Sequence, residues 1–537
     1  MREAMLGGES ANRKLFGGKR KRLVPVVVIG AVFLLIGTFI QWVLIVGAVF
    51  VALALLALSP GVTGSLWERV VKRQRWRWRQ KQGLTVFIPF DQDLWDVLTA
   101  AVATAKTRKD RRSANRNLHA MRETPDGLDG FRWLHDARHE PGVQWHRPRE
   151  GEEYLAVTFA TTGQVDGVGS DAMYDRASEA FGRLTAGLGD ALALPTRIQT
   201  LVRTLPPDSA RHEAWVEEQV DPSVPGVIAV SYKDIIETNK DAVLIPRHFV
   251  VVSWPITGAF ERKAATIREG QAGWTLLMMR EISRMTAALT SAGYQDVDAL
   301  TARQTAAVFR HMQMPSFPID RVSDITPMGG FLPSEDSWHS TTYFAQTDRA
   351  RLSQTLVRTA RIDVERIEAS TRNALWMHPL LSHMGDQIPR TLTFHLEMSP
   401  QAVARAAADR DVTSDDADRI SRANDGRLED LETAATLSAA LRRRLDLAPG
   451  TGHTGAAWVG YLSVSAGTKA QLRDACEAMQ AAASAAGLGQ LEWMDTQAST
   501  AAVFCWPTGR GILPAEARRT DQVLTGLESI ATEMETL

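Results

Sequence analysis

Two cysteines, Cys476 and Cys505, are all that 537 residues contain. That is too few for a disulfide framework or a thiolate zinc site, and a reduced cytoplasmic body is the expectation. Lysine is scarce as well, with 11 Lys beside 50 Arg, a usage that reflects a GC-rich coding genome rather than a mechanism. No G-x-x-x-x-G-K-[ST] cradle is present, which excludes a phosphate-loop motor. The nearest approach, Pro449 to Gly455 (PGTGHTG), lacks the lysine and reads as a helix-to-strand turn, and Gly163 to Gly169 (GQVDGVG) does not match a dinucleotide fingerprint. There is no G-x-S-x-G elbow and no cysteine with a base beside it. Asp415, Asp416 and Asp418 lack the glycine and terminal glutamate of an EF-hand loop. His135 and His139 stand four apart, with His146 beyond, but the H-E-x-x-H order is missing and the surrounding Trp, Arg and Pro suit a surface loop. No catalytic, cofactor-binding or metal residue is assigned on these grounds, and an enzyme is not expected.

What is present is an ordered globular composition, 45% hydrophobic and 23% charged, with two asymmetries. Leu23 to Leu58 is a run of 36 residues without a charge. A single helix of that length would reach roughly 54 Å against a hydrocarbon core of about 30 Å, so the expectation is a two-helix transmembrane hairpin reversing near Gly37, Thr38, Gln41 and Trp42. Residues 1 to 122 hold 21 Lys or Arg against 7 Asp or Glu, while the whole chain nets −1. Basic clusters on both sides of the apolar run place both termini in the cytoplasm, as a multi-pass protein of the cell membrane.

Trp42, Trp67, Trp76 and Trp78 are read as membrane-anchoring aromatics. Arg69, Lys72, Arg73, Arg75, Arg77, Arg79 and Lys81 are read as contacts to anionic lipid or nucleic acid. A second basic patch comprises Lys106, Arg108, Lys109, Arg111, Arg112, Arg116 and Arg122.

Downstream, β-rich runs alternate with helical stretches. Tyr154 to Thr161, Arg197 to Arg203, His248 to Trp254, Arg390 to Met398 and Ala456 to Ser465 read as strands. So do the short runs Leu491 to Trp493 and Ala501 to Trp506. Asp171 to Leu188, Asp208 to Asn239, Glu261 to Ala292, Asp298 to Met312 and Thr468 to Ala485 read as helices, and the helix after Ser399-Pro400 is expected to break at Asp411 to Asp418. The expected fold is an α+β membrane protein with α/β sandwich lobes, ferredoxin-like in element order. Its parts are a basic cytoplasmic N-terminus (1–22), the hairpin (23–58), a membrane-proximal basic region (59–150), a first lobe (151–313), a linker (314–337), a second lobe (338–513) and a C-terminal amphipathic helix (514–537).

This layout, with Thr286 to Phe309 (TAALTSAGYQDVDALTARQTAAVF), Asp336 to His339 (DSWH) and Arg390 to Pro400 (RTLTFHLEMSP), resembles an actinobacterial family of conjugation-associated membrane proteins. That family resembles a PrgI-like membrane hairpin fused to the non-catalytic N-terminal region of a type IV secretion ATPase. The resemblance implies a scaffold subunit of a multi-subunit secretion or conjugation apparatus, with a cognate ATPase and the cell membrane as partners and DNA as an indirect one. It implies no cofactor. A membrane-anchored nucleic-acid-binding adaptor and a membrane-tethered enzyme with an unrecognised site are the alternatives.

Overall fold

The computed structural model describes residues 3–6 and most of 66–512, leaving out 206–214, 382–387, 425–430 and several shorter breaks. The expected hairpin, the rest of the basic N-terminus and the C-terminal helix lie outside the described residues.

The strands are β1 (Glu3–Leu6), β2 (Val86–Pro89), β3 (Met121–Arg122), β4 (Phe131–His135), β5 (Val143–His146), β6 (Tyr154–Thr161), β7 (Arg197–Leu205) and β8 (Ile245–Pro255). There follow β9 (Asp298–Ala299), β10 (Ser334–Asp336), β11 (Thr341–Asp348), β12 (Arg351–Ile362), β13 (Ser370–Asn373), β14 (Arg390–Ser399), β15 (Gly455–Ala466) and β16 (Glu492–Trp493). Among the described residues, all but β1 and β13 join one 14-stranded sheet in the order β3-β2-β10-β11-β12-β15-β14-β7-β8-β6-β5-β4, with β16 on β12 and β9 on β6. Among the described residues only β2 and β3 run parallel.

Two corrections follow. The α+β fold rests on a single continuous mixed sheet, because β7 and β14 pair antiparallel from Arg197↔Glu397 to Thr204↔Arg390 and fuse the two lobes edge to edge. The expectation of separate sandwich lobes is therefore replaced. Nor is any described helix long and apolar enough to cross a membrane, so the membrane-protein class and the multi-pass localisation are withdrawn. The physical reason is visible in the long helices: Gln271–Ser291 carries Arg280, Glu281 and Arg284, and Leu66–Gln82 is dense with arginine.

The sheet is built from two units of like connectivity. In the first, β6, the helix Asp171–Leu188, β7, β8, the helices Gly258–Ala265 and Gln271–Ser291, and β9 follow one another, with lateral order β9-β6-β8-β7. The second repeats this as β12, the short helix His378–Leu381, β14, β15, the helix Lys469–Ala485 and β16, ordered β16-β12-β15-β14. Helical inserts occupy the same point in both: Gly226–Ala242 between β7 and β8, and the pair Gln401–Asn424 and Leu431–Asp446 between β14 and β15. After the last strand each unit has a further helix, Ala302–Gln313 and Ala498–Val503.

Strand alternation sorts the core. Leu155, Val157 and Phe159 of β6 and Val250, Val252 and Trp254 of β8 pack on one face under Leu277, Ile282, Met285 and Leu289. The same face of the second unit is covered by Leu472, Cys476 and Met479. On the opposite face Phe131, Phe309, Phe331, Tyr343 and Trp506 form an aromatic core shared by both units.

Several elements differ from the sequence reading. The helix expected over Glu261 to Ala292 is divided where Gly270 turns to φ +70°. The helix expected to break near Asp411 runs unbroken from Gln401 to Asn424, since Asp411 is paired with Arg443 at 3.0 Å. Ala501 to Trp506 is the end of a helix and a turn, because Ala-rich sequence favours the helix and Pro507 ends it. PGTGHTG forms the turn into β15, with Gly450 and Gly452 in the left-handed region.

Candidate interaction surface and its buried supports

The basic segment forms the helix Leu66–Gln82. Arg69, Arg73, Arg75, Arg77 and Lys81 are exposed and Lys72 is half-buried. Trp78 is 55% exposed, whereas Trp76 packs edge-on against Trp338 at 6.0 Å between ring centres. Trp42 and the side chain of Trp67 lie outside the described residues. Arg79 behaves differently from its neighbours, for it is 6% exposed and points into the protein.

There Arg79 donates to the Thr496 carbonyl, to Asp126 and Asp336 at 2.9 Å each, and to the Leu84 carbonyl at 3.2 Å. Asp336 in turn accepts from the Ser499 backbone N–H at 3.1 Å and its hydroxyl at 2.9 Å. Ser499 opens the helix Ala498–Val503, whose flanking Gln497 supplies no side-chain cap, so a distant carboxylate satisfies its unpaired amides. Burial pushes the Asp336 carboxyl up to about 6, and the Arg79 guanidinium pulls the other way.

The second basic patch stands on the helix Arg108–Ala120, which Thr107 caps by accepting from the Asp110 N–H at 3.1 Å. Lys106, Arg108, Lys109, Arg111, Arg112 and Arg116 are exposed. Arg122 is not part of that face: it pairs with Asp126 at 3.2 Å and lies over the Phe87 ring. The two basic helices meet at Gly83, at φ +76°, where an added Cβ would fall 2.5 Å from the Arg116 carbonyl oxygen. Only glycine permits both that backbone and that approach.

A second buried assembly was not legible as a motif. Phe504 to Gly511 lies across the sheet as a strap. The Phe504 carbonyl accepts from His395 of β14 at 2.8 Å, and the Trp506 carbonyl from Gln199 of β7 at 2.9 Å. The Pro507 carbonyl accepts from Gln144 of β5 at 3.0 Å and Thr158 of β6 at 3.1 Å, and the Thr508 carbonyl from Tyr154. Tyr461 of β15 donates to the Gly511 carbonyl at 2.6 Å. Arg510 donates to His146 Nδ1 at 3.2 Å and to the carbonyls of Gly127 and Asp129. The His146 ring is stacked on Tyr154 at 4.6 Å. Burial holds His146 well below its ordinary value, the Arg510 charge adding to the effect, and burial lowers His395 to about 4. Both rings are neutral donors or acceptors in the strap.

No known protein-family model matches the chain, and no curated protein is detectably similar to it.

His135 hydrogen-bonds Glu140 at 2.7 Å at the end of β4, while His146 is consumed by Arg510, so the structure does not bring the sequence's histidines together. Among the described residues no three His, Cys, Asp or Glu are grouped to hold a metal ion. Burial pushes the thiols of Cys476 and Cys505 up, away from the thiolate form.

The units also share a signal that composition reading passes over. Thr305 to Phe309 and Thr500 to Phe504 are the same pentapeptide, TAAVF, at the same place in each unit. Upstream, Ala292-Gly293 and Ala486-Gly487 end the preceding helices, both glycines with positive φ. A self-comparison of the sequence would have found them.

Proposed function

We propose that this chain is a non-catalytic scaffold subunit of a type IV secretion or conjugative DNA transfer apparatus, docking a separate ATPase. The observation that carries the docking is the helix Gly226–Ala242. Val227, Ile228, Val230 and Ile235 on it are 81%, 58%, 60% and 52% exposed. Contiguous apolar side chains left in water on one helix are an unfilled half of an interface. The fused sheet and its strap supply the rigid base that such a helix needs to present itself in one orientation. The reactive groups of the body support the non-catalytic role, since the buried cysteines are held protonated and the buried His146 and His395 are engaged in structure. The transport class comes from the resemblance of the segments Thr286 to Phe309 and Arg390 to Pro400.

Co-purification of the full chain with the type IV secretion-like ATPase of the same host tests the reading. Wild-type protein retains the ATPase, and Ile228→Asp with Ile235→Asp releases it while leaving the thermal midpoint unchanged. Undiminished DNA transfer by a clean deletion strain would overturn the proposal.

A further inference from the structure

We infer that the two basic helices form a binding track for single-stranded nucleic acid. On Leu66–Gln82, Arg75, Trp78 and Lys81 stand at successive three-residue steps and share one side of the helix, all three exposed. The Gly83 contact with Arg116 brings the end of this row against the helix Arg108–Ala120, so that the exposed Arg108, Lys109, Arg111, Arg112 and Arg116 extend the positive charge.

What marks this region is the density of its cations, ten of them exposed on two helices. Some exposed arginines elsewhere stand against acids: Arg444 with Asp409 at 2.9 Å, Arg147 with Glu153 at 3.1 Å, Arg473 with Asp474 at 3.1 Å. Among the described residues, none of Arg69, Arg73, Arg75, Arg77, Lys81, Arg108, Lys109, Arg111, Arg112 or Arg116 is in an ion pair. Exposed cations at this density are complementary to an evenly charged polyanion. The exposed indole between two cations narrows the class. Base stacking on an aromatic face is open to an unpaired strand and closed to a duplex, whose bases are already stacked. A lipid surface would require apolar residues beside the indole, but the positions three and four before and after Trp78 are Gln74, Arg75, Lys81 and Gln82, all exposed. The inference is independent of the docking helix.

The test is fluorescence anisotropy of the full chain with a labelled single-stranded oligonucleotide of about 30 nucleotides, the same sequence as a duplex, and phosphatidylserine vesicles. With about four phosphates engaged, affinity for the single strand falls roughly fiftyfold between about 50 and 200 mM salt. Arg75→Glu with Lys81→Glu abolishes binding. Trp78→Ala weakens single-strand binding roughly five- to a hundredfold and leaves any duplex binding unchanged. Arg75, Trp78 and Lys81 are exposed, so matching circular dichroism and thermal midpoints certify the variants. Salt-insensitive binding, equal losses on single strand and duplex, or adsorption to vesicles without oligonucleotide binding would each overturn the inference.

Discussion

The two TAAVF helices occupy equivalent places and end differently. In the first unit Thr301 caps Ala302–Gln313 with a complete capping box to Gln304, and the helix continues past Phe309 to Gln313. In the second, Ala498–Val503 relies on Asp336 and Arg79 for its start and stops after Val503, releasing Cys505, Trp506 and Pro507 into the strap. The first helix is locally complete. The second has exchanged local completeness for bonds to remote parts of the chain: Arg79 lies 257 residues from Asp336, and Gln144 lies 363 from Pro507. The two units share the pentapeptide and differ at its flanks, where the connections between units are made.

Breaking the remote connections should cost most. Arg79→Met leaves Asp336 buried without its cation and should destabilise by about 3–5 kcal/mol in urea unfolding. Trp506→Ala, which empties the shared aromatic core, should cost a similar ~3–5 kcal/mol. Because Phe309 and Trp506 stack at 5.8 Å, a double-mutant cycle between them should return a coupling of about 0.5–3 kcal/mol, and additivity would show the units to be energetically separate.

Acid should loosen the same connections. His146, His395 and the buried His311 are all held below their ordinary value by burial. The unfolded chain therefore binds more protons, and their contribution is complete above about pH 6.5 and lost as pH falls below it, for His395 toward about 4. Three such groups cost up to roughly 4 kcal/mol per pH unit. Asp336, raised to about 6, acts in the opposite sense. Its contribution is present at low pH and lost as pH rises from about 4 through 6, offsetting up to about 1.4 kcal/mol per unit. Urea midpoints at pH 7 and pH 5 should show a net loss on acidification, and a flat profile would refute the neutral-histidine strap.

Local changes should be smaller. Thr301→Ala removes the first unit's own cap and should cost about 1 kcal/mol, well short of the Arg79 change. The helix-ending glycines sharpen the comparison further. Gly293→Ala meets nothing, whereas a Cβ on Gly487 would fall 2.6 Å from the Arg372 guanidinium, which donates to the Ala486 and Gly487 carbonyls. Both changes strain a left-handed backbone by roughly 1 kcal/mol, and thermal melts should place Gly487→Ala below Gly293→Ala.

Legibility followed range. YLAVTFAT located β6 because a short run of apolar, β-branched and aromatic residues is written in consecutive positions, and RIQTLVR and HFVVVSW located β7 and β8, which extend beyond them. The exposed cations and Trp78 were legible as a charged, aromatic-bearing helix. Arg79 looked like its neighbours, since only the fold brings Asp336 to it. The pairing of β7 with β14 was equally hidden, each strand carrying apolar and polar residues compatible with an edge or an interior position. Ala501 to Trp506 misled because a short apolar run has no period of its own, and the identical pentapeptide two hundred or so residues earlier was the signal that would have corrected it.

The strap also has a place in time. Gln144, Thr158 and Gln199 sit on strands of the first unit, and the carbonyls they serve belong to residues 506 and 507. At synthesis rates of about 5–20 residues per second, roughly 20 to 70 seconds separate Gln144 from Pro507. Through that interval the first unit carries an open polar face, and its β7 edge stays unpaired until β14 has been made, so it cannot reach its final state as an independent domain. Its folding is completed by the second unit.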